Sequence, residues 1–472
     1  MNPDDTSDIK SAQHNLLIEF NLARLQKAVA NDAAIRCVIE LQPVGHPRDK
    51  VFPPTYDGGV YAEEKRVGDD GELIPAVLLD SVASQANRME AALLDAHGKA
   101  AGESQDSSVI DFPLLKVDFS DTAVTSPNSV SVLEAPHRIF DAIFRDSEVV
   151  NGTNRTAFSD SVIGSELALA CLTNATPLFE YSPTSLLFGA WNSTKAVKGS
   201  AKFARALVSE IVGYYAEVGK RVGSRIDPME IGKVPLYRSG LGEWDYTADR
   251  AKALPVEEDE QKTGEPEKQL FRIKKGSKEV PAYPSDINHG NVTPSIARAK
   301  EPLRGPGKTI VADRDRLTPG GVTLKFARQT TVLSLAALRR LRFPEKGEAP
   351  TNDRDRTARA VLAALGLVAM TVVRRDYFLR SRCDLYAPVL SPFEIVSSGS
   401  NGTQAPKFQL DFEGAVKLLN YAVTAAEALT PPLRWKAAAD LPKIKPSKKL
   451  VDLIVIGRGW GGSETDSGDD TE

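Results

Sequence analysis

Leu79-Asp80-Ser81-Val82-Ala83-Ser84-Gln85-Ala86-Asn87-Arg88-Met89-Glu90 is the stretch that organises the rest of the chain. Leu79, Val82, Ala86, Met89 and Leu93 recur at three- and four-residue spacing, which predicts an amphipathic helix with those residues turned to a core. Ser81, Ser84, Gln85 and Arg88 fall together around the first two turns, with Asp80 or Ser81 in capping position. Hydroxyls, an amide, a guanidinium and free backbone N–H groups can hold a phosphate. The same pattern also describes a capped helix with a solvated polar face, and spacing alone leaves both readings open.

Upstream, Ile18, Leu22, Leu25 and Val29 predict a helix over 15–31, and Ala34 to Val44 reads as a strand ending at Pro43. Pro53 to Gly59 is a turn or loop that leads into the Leu79–Glu90 helix. Strand, loop and helix in that order suit the opening of a ferredoxin-like or RRM-like unit. Residues 100–108 and 118–131 are polar and read as loops. Phe203, Leu207, Ile211 and Tyr215 predict a helix over 201–218, approached by Lys195, Lys198 and Lys202. Val322–Arg328 and Val451–Ile456 are strand candidates, and 355–371 and 411–429 are helices.

The expected organisation is a flexible N-terminus at 1–14, a first folded part at 15–243, a charged, Pro-rich insertion at 244–307, the remainder at 308–460, and an acidic disordered tail at 461–472. The insertion lacks apolar periodicity and is expected to be partly disordered or an extended arm.

At 472 residues with 42% apolar and 26% charged content, the chain has the makeup of a soluble globular protein with ample core. No run of about eighteen apolar residues marks a membrane span, and the acidic N-terminus argues against secretion. Cys37, Cys171 and Cys383 are odd in number and far apart, which fits thiols in a reducing cytosol. The net charge of −4 conceals an uneven distribution. Five acids lie after Gly462, whereas Arg298 to Arg382 carries nineteen Lys or Arg against eight Asp or Glu, an excess of eleven. Such a segment is either a footprint for a polyanion or a set of solvated helix faces.

Catalytic signatures are missing. The five histidines show no metal-ligand spacing, and no cofactor is implied. Gly305-Pro306-Gly307-Lys308-Thr309 ends like a P-loop, but Pro302 stands where the first glycine is needed. Asp353, Asp355, Asp313 and Asp315 alternate with arginines and read as balanced charge rather than Mg²⁺ ligands. His137, beside Arg138, is a candidate to bind or cleave RNA or a hydrogen-bonded structural histidine.

Ser84-Gln85-x-x-Arg88 resembles the Ser-Ser-Gln-x-x-Lys-Arg helix of the RAMP backbone subunits that coat CRISPR RNA in type I effector complexes. The wider text is similar to the type I-G (formerly I-U) branch. It includes Leu78 to Glu90, Glu134-Ala135-Pro136-His137-Arg138, Ser182 to Trp191, Ala204 to Ile211, and Phe378 to Leu385. The resemblance implies an α+β fold: a modified RRM, ferredoxin-like palm with a thumb hairpin and finger insertions. It implies a cytoplasmic, non-catalytic subunit that oligomerises head to tail on CRISPR RNA and pairs the guide with a target DNA strand. Its other partners would be further Cascade subunits, namely the RAMP subunit capping the RNA end and the large subunit. Carried onto this chain, Ser81, Ser84, Gln85 and Arg88 would hold phosphates, with Asn87 where the broader family usually has lysine. Lys195, Lys198, Lys202 and Arg205 would add backbone contacts or lie at a subunit interface. Arg380 and Arg382, at alternating strand positions, would share a face, and Trp191 would either stack a base or fill core. The alternatives are a RAMP-fold endoribonuclease that uses His137 and a self-assembling scaffold without RNA affinity.

Overall fold

The computed structural model describes residues 17–68, 70–103, 108–192, 202–256, 268–275, 278–297, 317–397 and 405–460. The 1–14 segment, the acidic tail, Lys195, Lys198, Asp313, Asp315 and Gly305–Thr309 lie outside them.

The first helix, α1 (Leu22–Asn31), starts later than its periodicity predicts. Asn21 stops it, because its Oδ1 accepts the Arg24 N–H at 3.2 Å. Next comes β1 (Ala34–Pro43), with Ile35, Cys37, Ile39 and Leu41 buried on one side. A hairpin of β2 (Glu63–Val67) and β3 (Leu73–Asp80) then intervenes where the sequence reading ran a loop straight into the helix. Leu79 therefore belongs to β3, and the helix itself is α2 (Val82–Ala96), which buries Ala86, Met89 and Leu93.

Two short strands, β4 (Ala190–Trp191) and β5 (Lys202–Phe203), pair antiparallel ahead of β6 (Leu207–Tyr214). The expected helix over 201–218 is thus overturned. Residues four apart share a face in a strand as well as in a helix, so Phe203, Leu207 and Ile211 satisfied both patterns. The Val322–Arg328 candidate divides between a strand at Pro319–Thr323 and β7 (Phe326–Ser334).

After β7 the chain forms α3 (Leu335–Arg339) and α4 (Asn352–Val372). It continues through β8 (Phe378–Arg380), β9 (Cys383–Tyr386), β10 (Phe393–Val396) and β11 (Lys407–Phe408) to α5 (Phe412–Glu427) and α6 (Lys448–Trp460). Helix α6 replaces the strand expected over Val451–Ile456. β-branched content suggested a strand, but Leu453, Val455 and Ile456 are exposed, so no sheet face claims them.

The strands join in the order β8-β9-β1-β7-β6-β3-β2, antiparallel throughout, with β10 also pairing β1 and β11 pairing β10. Helix and strand contents are nearly equal, 31% and 30%, and the sheet curls into an antiparallel half-barrel; the class is α+β. Helix α4 packs against α1, α2 and α5. The stretch Asn352–Arg375 is long and apolar enough to cross a membrane by length and composition, yet 94% of its apolar window is buried inside the protein. It is the core helix. A fully buried Leu or Val contributes about 1.5–3 kcal/mol each, and α4 supplies a run of them from Val361 to Val368.

These elements form one compact unit, residues 1–54, 63–216 and 324–472; the other comprises 55–62 and 217–323. The second is built of short antiparallel pairs, among them Val222–Arg225 with Val292–Ile296 and Arg272–Lys275 with Lys278–Pro281. The 244–307 stretch, expected to lack packed core, gives Phe271 and Ala282 to a small core with Leu236.

Candidate RNA-binding surface

Asp80, the last residue of β3, decides what the polar face of α2 can do. Its buried carboxylate accepts from Ser84 Oγ at 2.6 Å, Gln85 Nε2 at 2.6 Å and Arg88 Nε at 2.9 Å. Ser81 is the N-cap, its Oγ accepting the Ser84 N–H at 3.2 Å. Gln85 is 1% exposed, and its Oε1 accepts from Ser209 Oγ and Gln329 Nε2, each at 2.9 Å. Tyr377 donates its hydroxyl to Gln329 Oε1 at 3.0 Å, and Ser209 bonds Thr331 at 2.8 Å. Gln85 is therefore the centre of a buried polar network between α2 and the sheet, and its amide does not face an RNA phosphate. The sequence gives no sign of this, since, Asp80 apart, its partners on the sheet, Ser209 and Gln329, lie more than a hundred residues away.

Arg88 is also largely committed. Beyond Asp80, its Nη1 donates to the Phe378 carbonyl at 3.1 Å and its Nη2 to that of Leu379 at 2.5 Å. It clamps the β8–β9 hairpin to α2 and so brings Arg380 and Arg382 to the helix start. The two arginines do not share a strand face as expected. Arg380 ends β8, while Arg382 sits in the turn at φ +59° with its guanidinium 4.0 Å over the Phe52 ring. Arg380 donates to the Pro53 carbonyl at 3.1 Å, and both arginines remain exposed, as does Asn87. Cys383, the first residue of β9, is buried, its thiol pushed up to about 12 by burial, with Asp80 adding to the effect.

The second group gathers at the β4–β5 hairpin. Trp191 and Lys202 are direct cross-strand partners, and Trp191 is 52% exposed, so the indole is not core. Arg205 is exposed and donates Nε to the Phe188 carbonyl at 3.2 Å. Gly189 permits the hairpin at φ +85°; a Cβ there would lie 3.1 Å from the Phe203 carbonyl oxygen. Its own carbonyl accepts from Arg138 Nη1 at 3.0 Å. Arg138 is buried and pairs with Glu90 of α2 through two bonds of 2.6 and 2.8 Å. Burial raises the Glu90 carboxyl, while Arg138 and then Arg205 pull it down. His137, next to Arg138 in sequence, is exposed, and its backbone N–H donates to Asp141 Oδ2 at 2.9 Å. The Glu90–Arg138 pair is the feature that sequence reading missed: only the Arg138 block was visible, not the carboxylate that anchors it.

Among the described residues of the basic 298–382 stretch, many arginines are spent internally. Asp355 accepts from Arg342 at 2.6 Å and Arg359 at 3.1 Å, Arg354 donates to Phe343 and Pro431 carbonyls, and Arg339 to those of Val29 and Asp32. Arg374 and Arg375 lie over Phe393 and Phe412. Asp353 pairs Arg356 at 2.5 Å, so these acids do balance arginines. Among the described residues, no three His, Cys, Asp or Glu side chains gather as a metal site.

No curated protein matches the chain. The family described as CRISPR-associated protein GSU0053 (Cas_GSU0053) matches residues 35–218, the span that carries β1, α2, Arg138, the β4–β5 hairpin and β6. That match marks the chain as a CRISPR-associated protein.

Proposed function

We propose that this chain is a non-catalytic backbone subunit that coats CRISPR RNA in a type I-G interference complex. In this reading copies stack head to tail along the guide, and the complex works in the cytosol with a RAMP subunit at the RNA end and a large subunit. The half-barrel sheet with α2 and α4 would serve as the modified RRM-like palm, and the second unit as thumb or finger. The observation that carries the reading is the exposed Trp191 opposite Lys202, with the exposed Arg205 following β5. A cation beside an aromatic plane suits a single strand: the cation takes phosphate and the ring stacks a base, neither reading sequence. Guide bases then remain free for Watson–Crick pairing with target DNA, which supplies the specificity.

The exposed imidazole of His137 favours one competing reading, an endoribonuclease with His137 as general acid or base. Incubating the purified protein with a CRISPR transcript and a plain single strand separates the two. Binding without cleavage, unchanged by His137→Ala, is the expected result; cleavage that His137→Ala abolishes would replace the backbone reading with the nuclease. Self-association without RNA binding would favour a scaffold instead; binding through phosphates should weaken with salt by a log–log slope of about 0.7 per contact on single strands.

A further inference from the structure

Within the first unit, a groove of about 490 Å³ opens beside the β4–β5 hairpin. This lies within the ~300–1,000 Å³ range typical of small-ligand sites. Leu186 and Phe203, both buried, line it together with Ala336 and Ala337 of α3, and among the described residues its charged lining is Lys202 and Arg340. Both cations are exposed, and neither has a side-chain partner among the described residues. Lys202 stands directly across from Trp191, so their side chains emerge on the same face of the hairpin and the cation links the groove to the exposed indole's strand.

We infer that this groove is a nucleotide subsite: one base of a single-stranded RNA enters between Phe203 and the α3 alanines, with flanking phosphates on Lys202 and Arg340. The inference rests on the RNA-binding reading above and adds Arg340, which no sequence motif singled out. An apolar lining with two cations and no carboxylate matches the chemistry of a nucleotide, a flat apolar ring between two anions. An acidic protein segment is the other occupant that such charge would accept, and the test separates it.

The test compares three full-length proteins: the parent, Ala336→Leu/Ala337→Leu, which narrows the groove without changing charge, and Arg340→Gln. Each is titrated with single-stranded RNA and with an abasic ribose-phosphate chain of the same length, after circular dichroism confirms folding. The groove-filling variant is expected to bind RNA about fivefold or more weakly, the range of a lost stacking contact, and the abasic chain as well as the parent does. Arg340→Gln should weaken both ligands alike and flatten the salt slope by about 0.7. If filling the groove changes neither ligand, or both equally, the base subsite is wrong. An Arg340→Gln protein that binds both like the parent removes the phosphate contact and points to a protein occupant. If the parent binds no RNA at all, it is the RNA-binding reading itself that fails. Should the double variant misfold, Arg340→Gln, an exposed substitution, still decides the phosphate half.

Discussion

Arg88 and Lys202 are both basic candidates in the sequence, yet they do different work, and their substitutions separate the two roles. Arg88→Ala leaves the buried Asp80 without its cation and frees two backbone carbonyls of the β8–β9 hairpin. It should cost about 1–3 kcal/mol, discounted for partial exposure, and be seen as a lower urea midpoint. Lys202→Gln, on an exposed edge, should change stability by less than ~0.5 kcal/mol and weaken RNA binding alike for all sequences. Trp191→Ala should likewise leave folding intact while costing about 1–3 kcal/mol of RNA affinity. A large drop in melting temperature for Trp191→Ala would show that the indole is packed after all. The thiols give an independent check of burial. Cys383, raised to about 12 by burial, and Cys37, also raised by burial, should resist iodoacetamide at neutral pH. The partly exposed Cys171 should react first. Early labelling of Cys383 would mean that the β8–β9 hairpin, of which it is part, lifts away from the core.

At the scale of elements, Glu90 and Arg138 tie α2 to the start of the β4–β5 hairpin. Glu90→Ala strands a buried guanidinium and should cost about 3–5 kcal/mol, read by chemical denaturation; a loss below ~1 kcal/mol would show that the pair is not the tie. How much of this was legible depends on the range of the cause. Helix α2, β1, α4 and α5 were visible because their apolar spacing is local and matches a single period. Strand β6 was misread because Phe203, Leu207 and Ile211 suit two periods, and only the neighbouring β7 and β3 settle which one wins. Helix α6 was misread from its β-branched run. Gln85 looked like a surface ligand because Ser209, Gln329 and Tyr377, which enclose it, are distant in sequence. Trp191 went the other way: an aromatic beside Phe188 reads as core, and only the Gly189 turn sets it outside.

For the whole molecule, the net charge of −4 is a poor guide to partners. The sequence excess of eleven basic residues between 298 and 382 shrinks once Arg339, Arg342, Arg354, Arg356 and Arg359 are seen holding carbonyls and carboxylates. Among the described residues, Lys202, Arg205, Arg340, Arg380 and Arg382 are exposed cations that a polyanion can reach. Residues 464–472 contain no apolar side chain, and their deletion should leave the melting temperature unchanged; a large fall would show that the tail is docked.

The central claim, that the chain coats CRISPR RNA, is tested most directly by the size of the RNA it carries. The protein would be co-expressed with a CRISPR array and its companion subunits, purified, treated with nuclease, and its RNA extracted. A discrete band of guide-bearing length, protected from the nuclease, is the result predicted here. Either no RNA or a heterogeneous, degradable smear would contradict it.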